Sequence, residues 1–350
     1  MAEVAIVGAG EELAEEVLSE LLARGHAAEG IRLFGGEGRA GEVLLLEGSS
    51  FRVDPATAEA LADFETVLFF EDGLLARDHV PSLAEAGALV VDATAFSRRT
   101  RSGRLVVPEV NGELLAIPGE QRLFALPMPA VTGLATALAP LHALARINRV
   151  ITTVFEPASN RGPAAIEDLS RQSVAMVSGE GIDREKFPET LAFNVRPYSS
   201  GGSEDGWAFD ERMVAEEVAT LFGEPPVEVL ATVARVPVFL GAAQSVWVDL
   251  DGAVTLEDVR AALREAPSLL LAGDFLGEVV GDETGDLLAD GEPGPVDVAG
   301  SSAVHIARLR QDPGRPESVG FWIAFDDLRK GVALNAVTTF ERASQGAFQA

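Results

Sequence analysis

Val4-Ala5-Ile6-Val7 is a short run of apolar, mostly β-branched residues, and Gly8-Ala9-Gly10 follows it directly. Such a run has the composition of a strand buried on both faces. Beyond the glycines, Leu13, Val17, Leu18, Leu21 and Leu22 recur at helical spacing as far as Gly25, so the stretch reads strand, tight turn, helix. The same rhythm continues outward. Ile31-Arg32-Leu33-Phe34, Glu42-Val43-Leu44-Leu45-Leu46, Ser50-Phe51-Arg52-Val53, Thr66-Val67-Leu68-Phe69-Phe70 and Ala88-Leu89-Val90-Val91-Asp92 have strand composition, and a helix ending near Gly87 separates the last two. Strands alternating with helices predict a parallel, doubly wound α/β sheet.

The rhythm changes after about residue 127. Val150-Ile151-Thr152-Thr153-Val154-Phe155 is a strong strand, and helices are expected over 163–180 and 209–222 with an irregular segment between them. Strands follow at 227–235 and 245–250, a helix at 256–264, a Gly/Asp/Glu/Pro-rich loop at 278–295, and strands at 303–310 and 319–325. This is the pattern of an α+β domain with a mostly antiparallel sheet. The last helix, about 327–345, opens on Asp326-Asp327, acids suited to a helix N-terminus.

The chain has 350 residues, 27 basic and 55 acidic, for a net charge of −28. That excess leaves no basic patch able to neutralise phosphates, which argues against nucleic-acid binding and against an anionic membrane surface. There is no cysteine, which excludes disulfides, thiolate metal sites and every thiol nucleophile; no metal site is expected. The start, Met1-Ala2-Glu3-Val4, lacks a basic n-region, and no apolar run approaches the roughly 18 residues of a membrane span, so a cytoplasmic location is expected.

Several stretches resemble the aspartate-semialdehyde dehydrogenase family: residues 4–8, Leu105-Val106-Val107-Pro108-Glu109-Val110-Asn111, Arg235-Val236-Pro237-Val238-Phe239, Pro295-Val296-Asp297-Val298-Ala299-Gly300 and Leu328-Arg329-Lys330-Gly331-Val332-Ala333-Leu334-Asn335-Ala336-Val337. The resemblance runs along nearly the whole chain and is nearest to the catalytically degenerate Usg-type paralogues of that family. It implies an N-terminal Rossmann-type domain, residues 1–127 plus 327–350 with the C-terminal helix returning to it. An α+β substrate and dimerisation domain of the glyceraldehyde-3-phosphate dehydrogenase type, residues 128–326, would complete the chain. It also implies a homodimer, NADP as cofactor, and an oxidoreductase of amino-acid biosynthesis. In that chemistry a cysteine thiolate forms a covalent adduct, hydride passes to or from NADP, a thioester exchanges with phosphate, and a histidine moves the proton.

The residues that would carry this chemistry are replaced. The family's Asn-Pro-Asn-Cys run aligns with Leu126-Pro127-Met128-Pro129, so Pro129 stands at the nucleophile position. Proline has neither a nucleophile nor a backbone N–H. Thr132 and Thr136 lie nearby, but a threonine without a base is a poor nucleophile. The family's histidine position is Ala242. The four histidines of the chain, His26, His79, His142 and His305, are expected to be structural or surface residues; His26 and His79 read as helix-end or loop residues, and His142 is placed on a helix.

The resemblance implies that Arg235 holds a substrate carboxylate and that Arg98 and Arg212 hold phosphate, contacts well suited to guanidinium groups. It places Glu156 where the family has a glutamine that orients the intermediate; a carboxylate there repels an anion unless neutralised. At the dinucleotide site, Gly8, Gly10, Arg39 and Asn335 are the candidate contacts. Glu11 and Glu12 stand where a pyrophosphate would meet a helix N-terminus, and Gly36-Glu37-Gly38-Arg39 replaces a Ser-x-Arg-Ser signature. Glu71-Asp72-Gly73 brings two further acids, so NADP binding is expected to be weak or absent. Three readings follow: a non-catalytic dimeric binding or regulatory protein taking a small anionic metabolite or a heteromeric partner; a residual NADP-dependent oxidoreductase acting on an aldehyde or acyl phosphate; and a scaffold with an empty cleft.

Overall fold

The computed structural model describes residues 4–8, 12–71, 73–116, 122–183, 189–197, 205–272 and 292–347. The chain divides into two compact units, residues 1–128 with 331–350 and residues 129–330.

In the first unit, eight strands are described: β1 Val4–Val7, β2 Ile31–Gly35, β3 Val43–Leu46, β4 Ser49–Pro55, β5 Thr66–Phe69, β6 Leu89–Asp92, β7 Arg104–Leu105 and β8 Leu123–Ala125. They form one sheet in the order β3-β4-β2-β1-β5-β6-β8-β7. Every pairing is parallel except β3 with β4. Strands β1, β5 and β6 are buried at every position, which is why they read as continuous apolar runs rather than alternating ones. Helices cover both faces. Val17, Leu18 and Leu21 of helix Glu12–Ala23 pack with Val337 and Phe340 of the C-terminal helix on one side. Val80, Leu83 and Ala84 of helix Leu74–Glu85 pack on the other. His79 lies within that helix, not at a helix end or loop as its local sequence suggests; the helical register set by Ala76, Val80 and Leu83 overrides the polar Arg77-Asp78-His79 run.

The second unit holds β9 Ile147–Glu156, β10 Arg196–Pro197, β11 Glu228–Arg235, β12 Ala242–Leu250, β13 Leu269–Leu271, β14 Val304–Asp312 and β15 Arg315–Phe325. Their order is β10-β11-β9-β12-β15-β14-β13. The long β9-β12-β15-β14 core is antiparallel, while β11 runs parallel to β9. Across the sheet lies helix Pro129–Leu144, whose buried residues include an unbroken run from Ala130 to Leu138. A helix apolar all round is a buried helix and offers no period to read, so its limits are not evident from sequence. Its approach to β15 depends on Gly133, where a Cβ would lie 2.3 Å from a Phe325 ring carbon.

Two sequence expectations need adjustment. Strand β12 starts at Ala242, three residues before the expected start, because Ala242 and Ala243 already pair with Phe325 and Ala324 of β15. The final helix is preceded by a wider turn, Arg329–Ala333, and begins at Leu334. Of its two leading acids, Asp326 does cap the turn, accepting from the N–H groups of Leu328 (3.0 Å) and Arg329 (2.7 Å); Asp327 is buried and serves a different purpose, described below. The acidic loop expected at 278–295 lies largely outside the described residues.

Candidate functional site

Within the second unit, four of the singled-out positions converge. Glu156 is the last residue of β9 and Arg235 the last of β11, and the parallel register pairs them directly. The Arg235 Nε donates to Glu156 Oε2 at 3.2 Å, and the Asn160 amide donates to Glu156 Oε1. Pro129 opens the helix that lies over these strand ends: Ala130, the next residue, packs against Val154 and Val233, each two residues before one member of the ion pair. Ala242 opens the neighbouring strand β12. Gln244 ties the two openings together, its Nε2 donating to Ala130 O at 2.7 Å and its Oε1 accepting from Thr152 Oγ1 at 3.0 Å.

Pro129 and Ala242, the two positions singled out in the sequence, thus open two elements that Gln244 links, and neither side chain carries a nucleophile or a titratable group. Pro129 is well placed as a first helical residue, since its missing N–H has no helical partner to lose. The nearby Thr136 hydroxyl donates to Thr132 O at 2.7 Å and is buried in the helix. Ala242 is 3 % exposed and carries no proton.

Glu156 is 4 % exposed. Burial pushes its carboxyl above the ordinary range, with Asp210 adding to the rise; Arg161, Arg235 and the Asn160 amide oppose it. Burial thus outweighs the cations that face Glu156, and a carboxylate ligand of Arg235 would have to compete with Glu156. Beside it, Asp327 Oδ1 accepts from Gly241 N–H and Oδ2 from the Ser159 hydroxyl, both at 2.7 Å. This holds the turn before Ala242 against the loop after β9. Burial pushes Asp327 up to about 6, against the pull of those two hydrogen bonds. Gly241 itself has φ +86°, and a Cβ there would lie 2.3 Å from Pro295 O.

The other expected anion contacts are placed elsewhere. Arg212, on helix Phe209–Phe222, reaches both carboxylate oxygens of Asp205 at the surface. Arg98, in the first unit, lies on helix Ala95–Thr100 and donates from Nη1 to Ala93 O (2.7 Å) and Leu126 O (3.2 Å). That helix is fixed by buried Asp92 at the end of β6, which accepts from the N–H groups of Thr94 (2.8 Å) and Ser97 (3.1 Å). His142 is structural: its Nδ1 accepts from Ile147 N–H at 3.2 Å and its ring packs on Phe222. His26 pairs with Glu341, and His305 with Ser301. Among the described residues, no three His, Cys, Asp or Glu side chains are grouped to hold a metal ion, and no helix is long and apolar enough to cross a membrane.

The dinucleotide corner belongs to the first unit. Gly8 has φ +118°, and a Cβ there would lie 2.9 Å from Glu71 N, so only glycine lets the ends of β1 and β5 approach this closely. Its N–H donates to Phe34 O on β2 at 2.9 Å. Gly10 and Glu11 lie outside the described residues; Glu12 opens helix Glu12–Ala23. Asn335, at the start of the last helix, is buried; its amide approaches Val106 O (3.4 Å) and its Oδ1 has no partner. A glycine-only corner at the ends of β1 and β5 suits the close approach of a dinucleotide pyrophosphate to the backbone. Arg39, by contrast, is exposed and reaches Glu42 at 3.4 Å.

Known families match along both units: the semialdehyde dehydrogenase NAD binding domain over residues 3–117 and the semialdehyde dehydrogenase dimerisation domain over residues 138–330. The chain belongs to the semialdehyde dehydrogenase family. Among its relatives within that family, the aspartate-semialdehyde dehydrogenase of Aquifex aeolicus is 29% identical over 340 residues, 97% of this chain and 96% of the relative. That of Synechocystis is 28% identical, also over 97% and 96%. The crystal structure of aspartate semialdehyde dehydrogenase II from Vibrio cholerae, complexed with ASA, superposes with a TM-score of 0.88 at 28% identity, over 99% of this chain and 98% of that one. The first unit is thus a semialdehyde dehydrogenase NAD(P)-binding domain and the second carries the dimerisation fold.

Sequence reasoning missed Gln244, Asn160 and Asp327 as organisers of the site. Gln244 left a trace, as a polar residue at the mouth of an apolar strand; Asn160 acts on Glu156 only four residues back but from a short turn with no period to read, and the partners of Asp327 are distant in sequence.

Proposed function

We propose that this semialdehyde dehydrogenase family member does not catalyse the family reaction and works as a dimeric binding or regulatory protein. The observation that carries the reading is the pairing of Pro129 and Ala242 at the linked openings of helix Pro129–Leu144 and β12. On this reading Pro129 and Ala242 stand for the thiol and the imidazole, and neither side chain can attack a carbonyl or move a proton. Loss of a nucleophile and of its proton carrier leaves transition-state stabilisation with nothing to act on. The dimerisation domain supports a homodimer. A small anionic metabolite remains the ligand class that Arg235 suits, in competition with Glu156.

The test is turnover. Purified protein, free of host enzyme, is given aspartate semialdehyde, phosphate and NADP or NAD, and the reduced nucleotide is followed by absorbance. The expected result is a rate equal to the no-protein blank. Sustained reduction of nucleotide that scales with protein concentration defeats the proposal and favours the residual oxidoreductase. Light scattering of the eluted peak checks the dimer.

A further inference from the structure

In a doubly wound fold the dinucleotide crosses the carboxyl ends of the strands. The adenosine ribose then lies off the end of the second strand, where an acid accepts from a free 2′-hydroxyl and a cation accommodates a 2′-phosphate. Here β2 ends at Gly35, and Gly36 follows. Strand β5 lies one strand further across the sheet, on the other side of β1, yet Glu71, two residues beyond its end, reaches back across: its Oε1 lies 3.2 Å from the point a Cβ on Gly36 would occupy. The backbone of Glu71 is held there by the close approach of Gly8, which is itself hydrogen-bonded to the end of β2. Gly36 has no left-handed φ, so its backbone does not demand glycine; what the missing side chain provides is room for the carboxylate. The nearby cation, Arg39, is drawn to Glu42 on an exposed turn, and Glu37 adds another negative charge beside Gly36.

We infer that Glu71 makes this groove select a dinucleotide with a free 2′-hydroxyl over one carrying a 2′-phosphate, so that NAD, not NADP, is the nucleotide the first unit takes. The carboxylate accepts a hydrogen bond from the ribose hydroxyl, and a phosphate at the same place meets like charge. This selection stands on binding alone and is independent of whether any turnover occurs.

The experiment is calorimetric titration of the full-length protein with NAD and, separately, with NADP at about 0.1 M ionic strength, where surface charge effects beyond roughly 10 Å are screened. The wild type is expected to bind NAD at least about tenfold more tightly than NADP. Glu71→Gln is expected to lose most of that ratio, by gaining NADP rather than by losing folded protein, as its melting curve will show. Gly36→Arg, which places a guanidinium beside the carboxylate, is expected to move the ratio toward NADP and decides the matter if Glu71→Gln does not fold. Equal or tighter binding of NADP by the wild type, an unchanged ratio in the variants, or no binding of either nucleotide overturns the inference. Turnover in the family assay would leave it untouched.

Discussion

The two units of this protein hold their strand ends by different means. In the nucleotide unit the corner is made of backbone: Gly8 lets β1 meet the residue after β5, and its N–H anchors β2. In the second unit the corresponding strand ends are made of side chains: Glu156 and Arg235 neutralise one another, and Asn160, Gln244 and Asp327 fasten the elements around them. A backbone corner is intolerant of change because any Cβ clashes, whatever its chemistry. A side-chain site can trade its reactive groups for mutually satisfying ones and still pack, since a buried charge needs only a partner. On the proposed reading, Pro129 and Ala242 are such inert substitutions within a side-chain site, while Gly8 belongs to the backbone corner.

The sharpest way to break this contrast is Gly8→Ala. The new Cβ meets the Glu71 backbone at 2.9 Å with φ at +118°. A loss of about 3 kcal/mol in urea unfolding is expected, together with loss of dinucleotide binding. A variant as stable as wild type would mean the corner is not backbone-limited.

Next in size is Asp327→Asn, which probes the second unit. The folded carboxyl titrates near 6, above its ordinary 3.8, so the fold favours its protonated form. That contribution is complete below about pH 4 and is lost as pH rises through 6. An asparagine can accept from Gly241 N–H and donate to Ser159 Oγ without the charge. The variant is therefore expected to match wild type near pH 4 and to exceed it by about 3 kcal/mol at pH 8, read by denaturant midpoints across that range. A constant difference would show that the carboxylate is not the cause.

Glu156→Gln sharpens the comparison at the ion pair itself. Neutralising the competing carboxylate removes one anion that a ligand at Arg235 must displace, so a small dicarboxylate such as succinate is expected to bind about tenfold more tightly in calorimetry, roughly 1.4 kcal/mol. No gain would mean that Arg235 does not face the ligand. The smallest effect belongs to Arg212→Ala. Its partner Asp205 is solvent-exposed, and stability should change by no more than about 0.5 kcal/mol, with succinate binding unaltered. A large loss of binding would return Arg212 to the site.

Much of the fold was legible because burial on two faces writes itself as unbroken apolar runs, as in β1, β5 and β6, and because helix Phe209–Phe222 carries clear periodicity. Helix Pro129–Leu144 was not delimited, since burial all round erases the period, and the short strands β7, β8, β10 and β13 are too brief to show one. At the site, the inert chemistry of Pro129 and Ala242 could be read residue by residue. The paths of Arg98 to two backbone carbonyls and of Arg212 to Asp205 could not, because a guanidinium takes whichever acceptor the fold brings near.

The sequence by itself determined what this protein lacks: without a sulfhydryl anywhere, no arrangement of the chain can supply one. It also determined the doubly wound first unit, because strand and helix periods are local properties. Only the tertiary structure decided what the surviving charged groups do. Whether Arg235 meets Glu156, or Glu71 reaches Gly36, depends on strand register and on elements far apart along the chain, and electrostatic partnership is a matter of distance in space rather than of order in sequence.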